Sequence, residues 1–244
     1  MSTSLSIPCV IDTAVAARFP DIKIAGAVLR GITVRPASSA ISSGLEAVAR
    51  RLRAELHGRP PQDLPHLAAF RTVYKDFGVD PGSRRPSVEA LVRRAIDPTR
   101  ALYRINAVVD AYNLTSLECV LPFGAYDIDS LALPLVLRFA CGNENFLGIG
   151  ETTEVALTAG ELVYADQERI VCRDYNYRDA DISKVTNATK NVLILADACG
   201  PIPVERAQEA LQAAVERILA ECGGTAVDQF SLPSIIHSPD SVEG

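Results

Sequence analysis

The pattern of apolar residues in the first half of the chain predicts strands followed by a run of helices. Residues 23–34 are mostly apolar and often β-branched, which is typical of one or two strands. Apolar residues then recur at helical spacing over residues 38–56 and 64–77, each with charged residues off the apolar stripe. Similar patterns predict two more helices, over residues 87–97 and 103–112.

The second half of the chain has a different pattern. Short strand-like runs, separated by Gly, Asn and Asp turns, occupy residues 131–140, 161–166, 169–172 and 191–196. An amphipathic helix is predicted over residues 204–222. Strands, helices, strands and a final helix form an order typical of an α+β fold, because a doubly wound fold alternates strands and helices regularly.

Length and composition place the chain among ordinary folded proteins. With 244 residues, 48% of them hydrophobic, we predict a single domain over residues 1–230 and a flexible tail over residues 231–244. No window approaches the roughly 18 consecutive apolar residues of a membrane span, and no signal peptide is indicated, so we expect cytoplasmic localisation and no membrane partner. Six dispersed cysteines and three histidines lack metal-ligand spacing, so we expect neither a metal nor a cofactor.

Charge is distributed unevenly along the chain. The net charge is −6, but residues 44–104 carry 12 basic and 7 acidic side chains, whereas residues 105–244 carry 8 and 21. A segment of net charge +5 favours contacts with phosphates, since close contacts act within the screening length of about 8–10 Å. The alternative is that these arginines lie on solvated helix faces.

Several common catalytic motifs are missing. The chain has no phosphate-binding loop of the form G-x-x-x-x-G-K-[ST], no G-x-S-x-G elbow, no H-E-x-x-H and no strand-linked G-x-G-x-x-G. Their absence argues against a nucleotide hydrolase, an α/β-hydrolase and a dinucleotide-dependent enzyme.

Residues 84–131 contain an ordered set of short motifs. They are Pro86-Ser87, Arg93-Arg94, Ile105-Asn106, Val109-Asp110, Asn113 and the segment from Pro122 to Tyr126-Asp127. Their order and spacing resemble the tRNA-editing (B3/B4-type) domain of the phenylalanyl-tRNA synthetase beta subunit. In that family the corresponding helices and turn line the pocket that hydrolyses mischarged tRNA.

A second stretch adds to the resemblance. Asp166 ends a strand, Ser183, Thr186 and Thr189 follow in an S-x-x-T-x-x-T arrangement, and an apolar strand comes next. The two matches together span residues 84–197, and the resemblance implies that the second forms the other wall of the pocket. The alternative is that the three hydroxyls bond local backbone groups at a turn.

The resemblance implies a single α+β domain with a largely antiparallel sheet flanked by helices. It also implies that the protein binds tRNA or aminoacyl-tRNA, with no DNA expected, and proofreads it in trans as a freestanding editing domain without the rest of a synthetase. From the resemblance and the polar residues around it we predict eleven substrate-binding residues: Arg71, Tyr74, Ser87, Asn113, Tyr126, Asp127, Arg138, Asp166, Ser183, Thr186 and Thr189. The residues predicted to bind tRNA phosphates are Arg84, Arg85, Arg93 and Arg94.

Two departures from the family pattern concern the chemistry. Gly124 stands where the family has histidine, which predicts a wider pocket, and the family's glutamate is replaced within Leu195-Ala196-Asp197. Asp197 lies two positions further along the strand, so its side chain can face the same way. Catalysis would then depend on a positioned water, with Asn113, Asp127, Thr186 and Thr189 as candidates to hold it.

Two other classes of function stay open from the sequence. One is a non-catalytic amino-acid or tRNA-binding domain that has lost the editing chemistry, which Gly124 favours. The other is a protein-interaction module without a ligand, which the charge segregation argues against. Whether the chain is an enzyme, an aminoacyl-tRNA deacylase, is therefore undecided at this level, as are the amino acid, the tRNA and the oligomeric state.

Overall fold

A four-stranded antiparallel sheet forms the centre of the molecule. The computed structural model describes residues 8–233, and in this sheet the strands lie in the order β11 (Thr225–Leu232), β2 (Lys23–Arg30), β10 (Val192–Ala198) and β3 (Phe123–Asp127). All seven residues of β10 are buried, because neighbouring strands flank it and other elements cover both its faces. This position makes β10 the element against which the site is built.

A second sheet packs against the first. Its strands lie in the order β1 (Cys9–Ile11), β4 (Leu135–Phe139), β7 (Leu162–Ala165), β8 (Ile170–Arg173) and β9 (Arg178–Asp179). Only the β1–β4 pair is parallel. A small hairpin of β5 (Asn145–Phe146) and β6 (Val155–Ala156) lies beside this sheet.

Six helices surround the sheets within the described residues. They are α1 (Thr13–Arg18), α2 (Ser39–Leu56), α3 (Pro65–Asp76), α4 (Ser87–Ile96), α5 (Ala107–Cys119) and α6 (Val204–Cys222). The long α6 packs on β2 and β10 through its apolar stripe, and α5 packs between α2 and α6. A Cβ at Gly44 of α2 would lie 2.7 Å from a methyl group of Leu114, so the glycine allows the close approach of α2 to α5.

The predicted α+β class with largely antiparallel sheets is confirmed, and several element boundaries are corrected. The predicted helix over residues 103–112 begins only at Ala107, because the side chain of Asn106 accepts the Val109 N–H and caps it there. Tyr126-Asp127 belongs to strand β3 and is not a turn. Strand β11 continues through Leu232, two residues into the predicted tail, and residues 234–244 lie outside the described part of the chain.

Candidate functional site

A groove of about 600 Å³ opens between α4, α5 and the segment that leads into β9. Its walls include Ser87 and Leu91 of α4, Tyr112 and Asn113 of α5, and Asp179 of β9. Two features of the sequence fix these walls: α4 starts immediately after a proline, and α5 starts at its asparagine cap. The groove is therefore bounded by elements whose ends are set locally.

A backbone hydrogen bond joins α4 to the β8–β9 connection. The Ser87 N–H donates to the Asn176 carbonyl at 3.0 Å. Just before it, Asp174 and Tyr175 have positive φ angles of 49° and 65°, which non-glycine residues adopt rarely. This tight connection turns the chain so that Asn176 and Asp179 both point toward the groove region.

A small polar chamber adjoins the groove. It measures about 20 Å³, which is enough for one water molecule. Ser87, Phe123, Tyr177 and Asp179 line both the groove and the chamber, so the two spaces adjoin. Further polar groups of the chamber come from both sheets: Tyr126, Tyr164, Cys172, Asn176 and Asp197.

Asp197 is the centre of a buried hydrogen-bond network. Tyr164 donates its hydroxyl to Asp197 Oδ1 at 2.7 Å, and the Asn176 amide donates to Oδ2 at 3.1 Å. Tyr74 in turn donates to Asn176 Oδ1 at 2.9 Å. Burial raises the pKa of Asp197 to about 7, against the lowering effect of the two hydrogen bonds, and the nearby charge of Asp179 adds to the increase.

Asp179 is the second carboxylate and lies between the groove and the chamber. The Tyr126 hydroxyl donates to Asp179 Oδ1 at 3.1 Å. Burial raises the pKa of Asp179 to about 6, while hydrogen bonds from Cys172 and Tyr126 and the charge of Arg178 lower it. Both carboxylates therefore titrate closer to neutral pH than an exposed aspartate does.

The space beside Gly124 is filled. A Cβ added at Gly124 would lie 2.6 Å from the hydroxyl oxygen of Tyr126, so the tyrosine occupies the volume that a larger side chain would need. The prediction of a wider pocket at this position is therefore wrong. The Tyr126 hydroxyl therefore places a hydrogen-bond donor beside Gly124, where the resemblance predicted only the absence of an imidazole.

Four arginines line the groove. Arg85, Arg93, Arg94 and Arg100 all contribute to its walls. Arg93 is also bound to the buried Glu89 and to Gln62. Arg94 lies with its guanidinium carbon 3.6 Å from the ring centroid of Tyr103.

Tyr103 is 60% exposed beside this cation. The groove thus has cations, an exposed aromatic ring and two carboxylates, Asp97 and Asp179, of which Asp179 also lines the chamber.

The structure brings six of the fifteen predicted site residues to this place. Ser87, Asn113, Arg85, Arg93 and Arg94 line the groove, and Tyr126 lines the chamber. Tyr74 is fully buried and supports the chamber through Asn176, so it cannot contact a tRNA base directly.

Other predicted residues are bound elsewhere. Thr189 donates to Asp127 at 2.7 Å, and its hydroxyl accepts the Thr186 N–H at 3.0 Å. Ser183 donates to the Ala180 carbonyl at 3.4 Å. These four residues bond one another or the local backbone and are not part of the groove or chamber walls.

The segments around Asp127 and Thr189 face each other, as expected, but they are in direct contact. Tyr126 forms a β-bridge with Lys184, and Asn106 donates to the Val185 carbonyl at 3.4 Å. The two segments are in contact with each other, and the groove lies between α4, α5 and the segment that leads into β9 instead.

The remaining predicted cations and acids form ion pairs. Arg71 contacts Glu89 at 2.8 Å, and Arg138 contacts Glu144 at 2.5 Å. Arg84 contacts Asp174 at 3.0 Å and Glu161 at 3.4 Å. Asp166 accepts the N–H groups of Ala132, Glu168 and Arg169 at a turn. Each of these four residues therefore has partners within the protein that explain its position, and no ligand is needed to explain it.

The fold and groove define an α+β domain with a basic groove and a buried acidic network. The model of the B3/4 domain family matches residues 69–219. The chain belongs to this B3/4 domain family, which confirms the resemblance to the phenylalanyl-tRNA synthetase beta subunit.

Individual proteins show the same similarity. The chain is 28% identical over 148 residues to the phenylalanine–tRNA ligase beta subunit of Haemophilus ducreyi. That match covers 61% of this chain and only 17% of the subunit. A crystal structure of an N-terminal fragment of the phenylalanyl-tRNA synthetase beta subunit from Pyrococcus horikoshii aligns with a TM-score of 0.47 and 15% identity, over 93% of this chain and 54% of that one.

Membrane-spanning helices and clustered metal ligands are both absent among residues 8–233. No helix there is long and apolar enough to cross a membrane. In the same residues, no group of three or more His, Cys, Asp or Glu side chains is placed to hold a metal ion.

Proposed function

We propose that the protein binds the aminoacylated end of a tRNA in the groove and hydrolyses the ester of a mischarged amino acid in trans, in the cytoplasm. One observation carries this proposal: the groove has Asp179 on the wall that it shares with the chamber, and four arginines, of which Arg100 is paired with Asp97, line the groove as well. An aminoacyl ester at the end of tRNA has the matching polarity, because its amino group is a cation and the adjoining backbone is a chain of phosphates.

Asp179 is the group that fits the substrate's ammonium. Its carboxyl group has a pKa of about 6, and it faces the groove. The Tyr126 hydroxyl fixes one of its oxygens and leaves lone pairs for a ligand. Ser87 and Asn113 lie in the same groove and supply donors for the ester carbonyl.

Asp197 is the group that fits the role of general base. Its pKa of about 7 is close to the operating pH, where a base combines availability with proton affinity. A water in the chamber attacks the ester carbonyl carbon and gives one proton to Asp197. The carbon–oxygen bond to the ribose then breaks, and the proton passes to the departing ribose oxygen. The free amino acid and the tRNA leave.

The test is a screen of mischarged tRNAs for deacylation by the purified protein. We expect release of at least one amino acid, and Asp197→Asn should slow it by roughly 10²–10⁴-fold with little change in tRNA affinity. Asp181→Asn is the control, because Asp181 pairs with Lys184 and lines neither the groove nor the chamber. A full set of mischarged tRNAs left intact would contradict hydrolysis.

The alternative is a binding domain without hydrolysis. It is favoured by one observation, namely that Gly124 and the phenol of Tyr126 stand where the family has an imidazole. In that case charged tRNA would bind more tightly than uncharged tRNA, but no amino acid would be released. Measuring tRNA binding and amino-acid release in the same preparation therefore distinguishes the two functions.

A further inference from the structure

A second groove of about 550 Å³ lies between α2 and residues 98–104. Four arginines line it, Arg50, Arg53, Arg100 and Arg104, against one carboxylate, Glu46. Leu45, Ala49 and Leu102 contribute apolar surface to its walls. A concave, cationic surface of this kind fits an anionic chain.

The two grooves meet at a ridge formed by residues 97–104. Asp97 and Tyr103 line the first groove, Thr99 and Leu102 line the second, and Arg100 lines both. A ligand that extends out of the first groove at Arg100 therefore enters the second one directly.

The arginines of the second groove differ in how firmly they are held. Arg53 donates to the Ala95 carbonyl at 3.1 Å, and Arg104 contacts the buried Asp110 at 3.0 Å, so the fold positions both. Arg50 has only a 4.0 Å contact with Glu46, and the two side chains are 67% and 75% exposed. Such an exposed pair contributes about 0–1 kcal/mol, so Arg50 can exchange it for a phosphate at little cost.

We propose that the second groove binds the phosphate backbone of the RNA that adjoins the end held in the first groove. The RNA strand crosses the ridge at Arg100, where Tyr103 offers an exposed ring for stacking of a base. The continuity of the grooves and this ring favour RNA over an acidic polypeptide. The direction of the strand rests on the function proposed above.

The experiment compares Arg50→Ala with Arg206→Ala in binding to uncharged tRNA across a range of salt concentrations. Arg206 is the matched control, since it is an exposed helical arginine paired within its own helix to Glu209 and lines neither groove. Arg50→Ala should lower the slope of log affinity against log salt by about 1, and the affinity by about tenfold at 0.1 M salt. Arg206→Ala should leave both unchanged.

A second ligand separates this inference from the proposed function. An aminoacyl-adenosine amide reaches only the first groove, so Arg50→Ala should bind it as wild type does. If Arg50→Ala and Arg206→Ala bind tRNA alike, or if polyglutamate displaces tRNA as well as a competing RNA does, the second groove is not an RNA site. If Arg50→Ala loses tRNA affinity while wild type ignores the amide, the RNA site stands and the proposed function fails.

Discussion

Asp197 shows what a single residue's position in a strand can predict. Leu195 and Asp197 both line the chamber, as the two-residue period of a strand predicts. Asp179 gave no comparable signal. It reaches the site through the tight connection at Asp174 and Tyr175, where two non-glycine residues have positive φ, and sequence patterns favour glycine or asparagine at such places. The hydrogen bond from Thr189 to Asp127 could not be predicted from sequence patterns either, because the two residues lie 62 positions apart in the chain.

The two carboxylates make stability depend on pH. Their pKa values, about 7 for Asp197 and about 6 for Asp179, exceed the usual value of 3.8, so the folded protein holds protons that the unfolded chain has released. Their contribution to the free energy of unfolding is complete below about pH 4 and is lost as pH rises to about 7.

Denaturant unfolding at pH 5 and pH 8 measures this effect. We expect a lower free energy of unfolding at pH 8 for wild type, and a smaller difference for Asp197→Asn, which cannot titrate. The difference between pH 5 and pH 8 does not vanish in the variant, because burial also raises the pKa of Asp174 to about 6. Equal differences for the two proteins would contradict a raised pKa for Asp197.

At the scale of elements, periodicity predicted the long helices well and the short strands poorly. Helices α2, α3 and α6 lie where their apolar stripes placed them, because 12 to 19 residues give several repeats of the pattern. Strands β1 and β9 have only three and two residues, and their existence depends on partners elsewhere in the chain. Asp179 of β9 forms one wall of the groove, so this wall could not be predicted from local sequence patterns.

A buried carboxylate joins α3 to α4. Glu89 is fully buried and accepts from Arg71 at 2.8 Å and from Arg93 at 2.9 Å. Glu89→Gln should lower the free energy of unfolding by about 2 kcal/mol, because two guanidinium groups lose their charged acceptor while keeping partial access to water. Glu46→Gln, at an exposed pair of 4.0 Å, should change it by less than about 0.5 kcal/mol. Equal effects in chemical denaturation would show that the α3–α4 contact does not depend on this charge.

At the scale of the whole molecule, the net charge of −6 conceals a basic surface. The sequence identified the segment, residues 44–104, in which basic side chains exceed acidic ones. It did not show that two helices and one loop of this segment form adjoining grooves, or that Arg71, Arg84 and Arg93 pair with buried acids. Pairing with acids in the folded structure decides which arginines are left to face a ligand. Counts of charge along the chain carry no information about that pairing.

Recognition of the aminoacyl end can be measured as a difference between two binding equilibria. The affinity of the protein is measured for a tRNA that carries its amino acid through a non-hydrolysable amide, and for the same tRNA uncharged. We predict tighter binding of the charged form by wild type and by Asp181→Asn, and no difference between the two forms for Asp179→Asn, because the ammonium loses its carboxylate. Equal binding of both forms by wild type, whichever amino acid is attached, would show that the groove does not recognise the aminoacyl end.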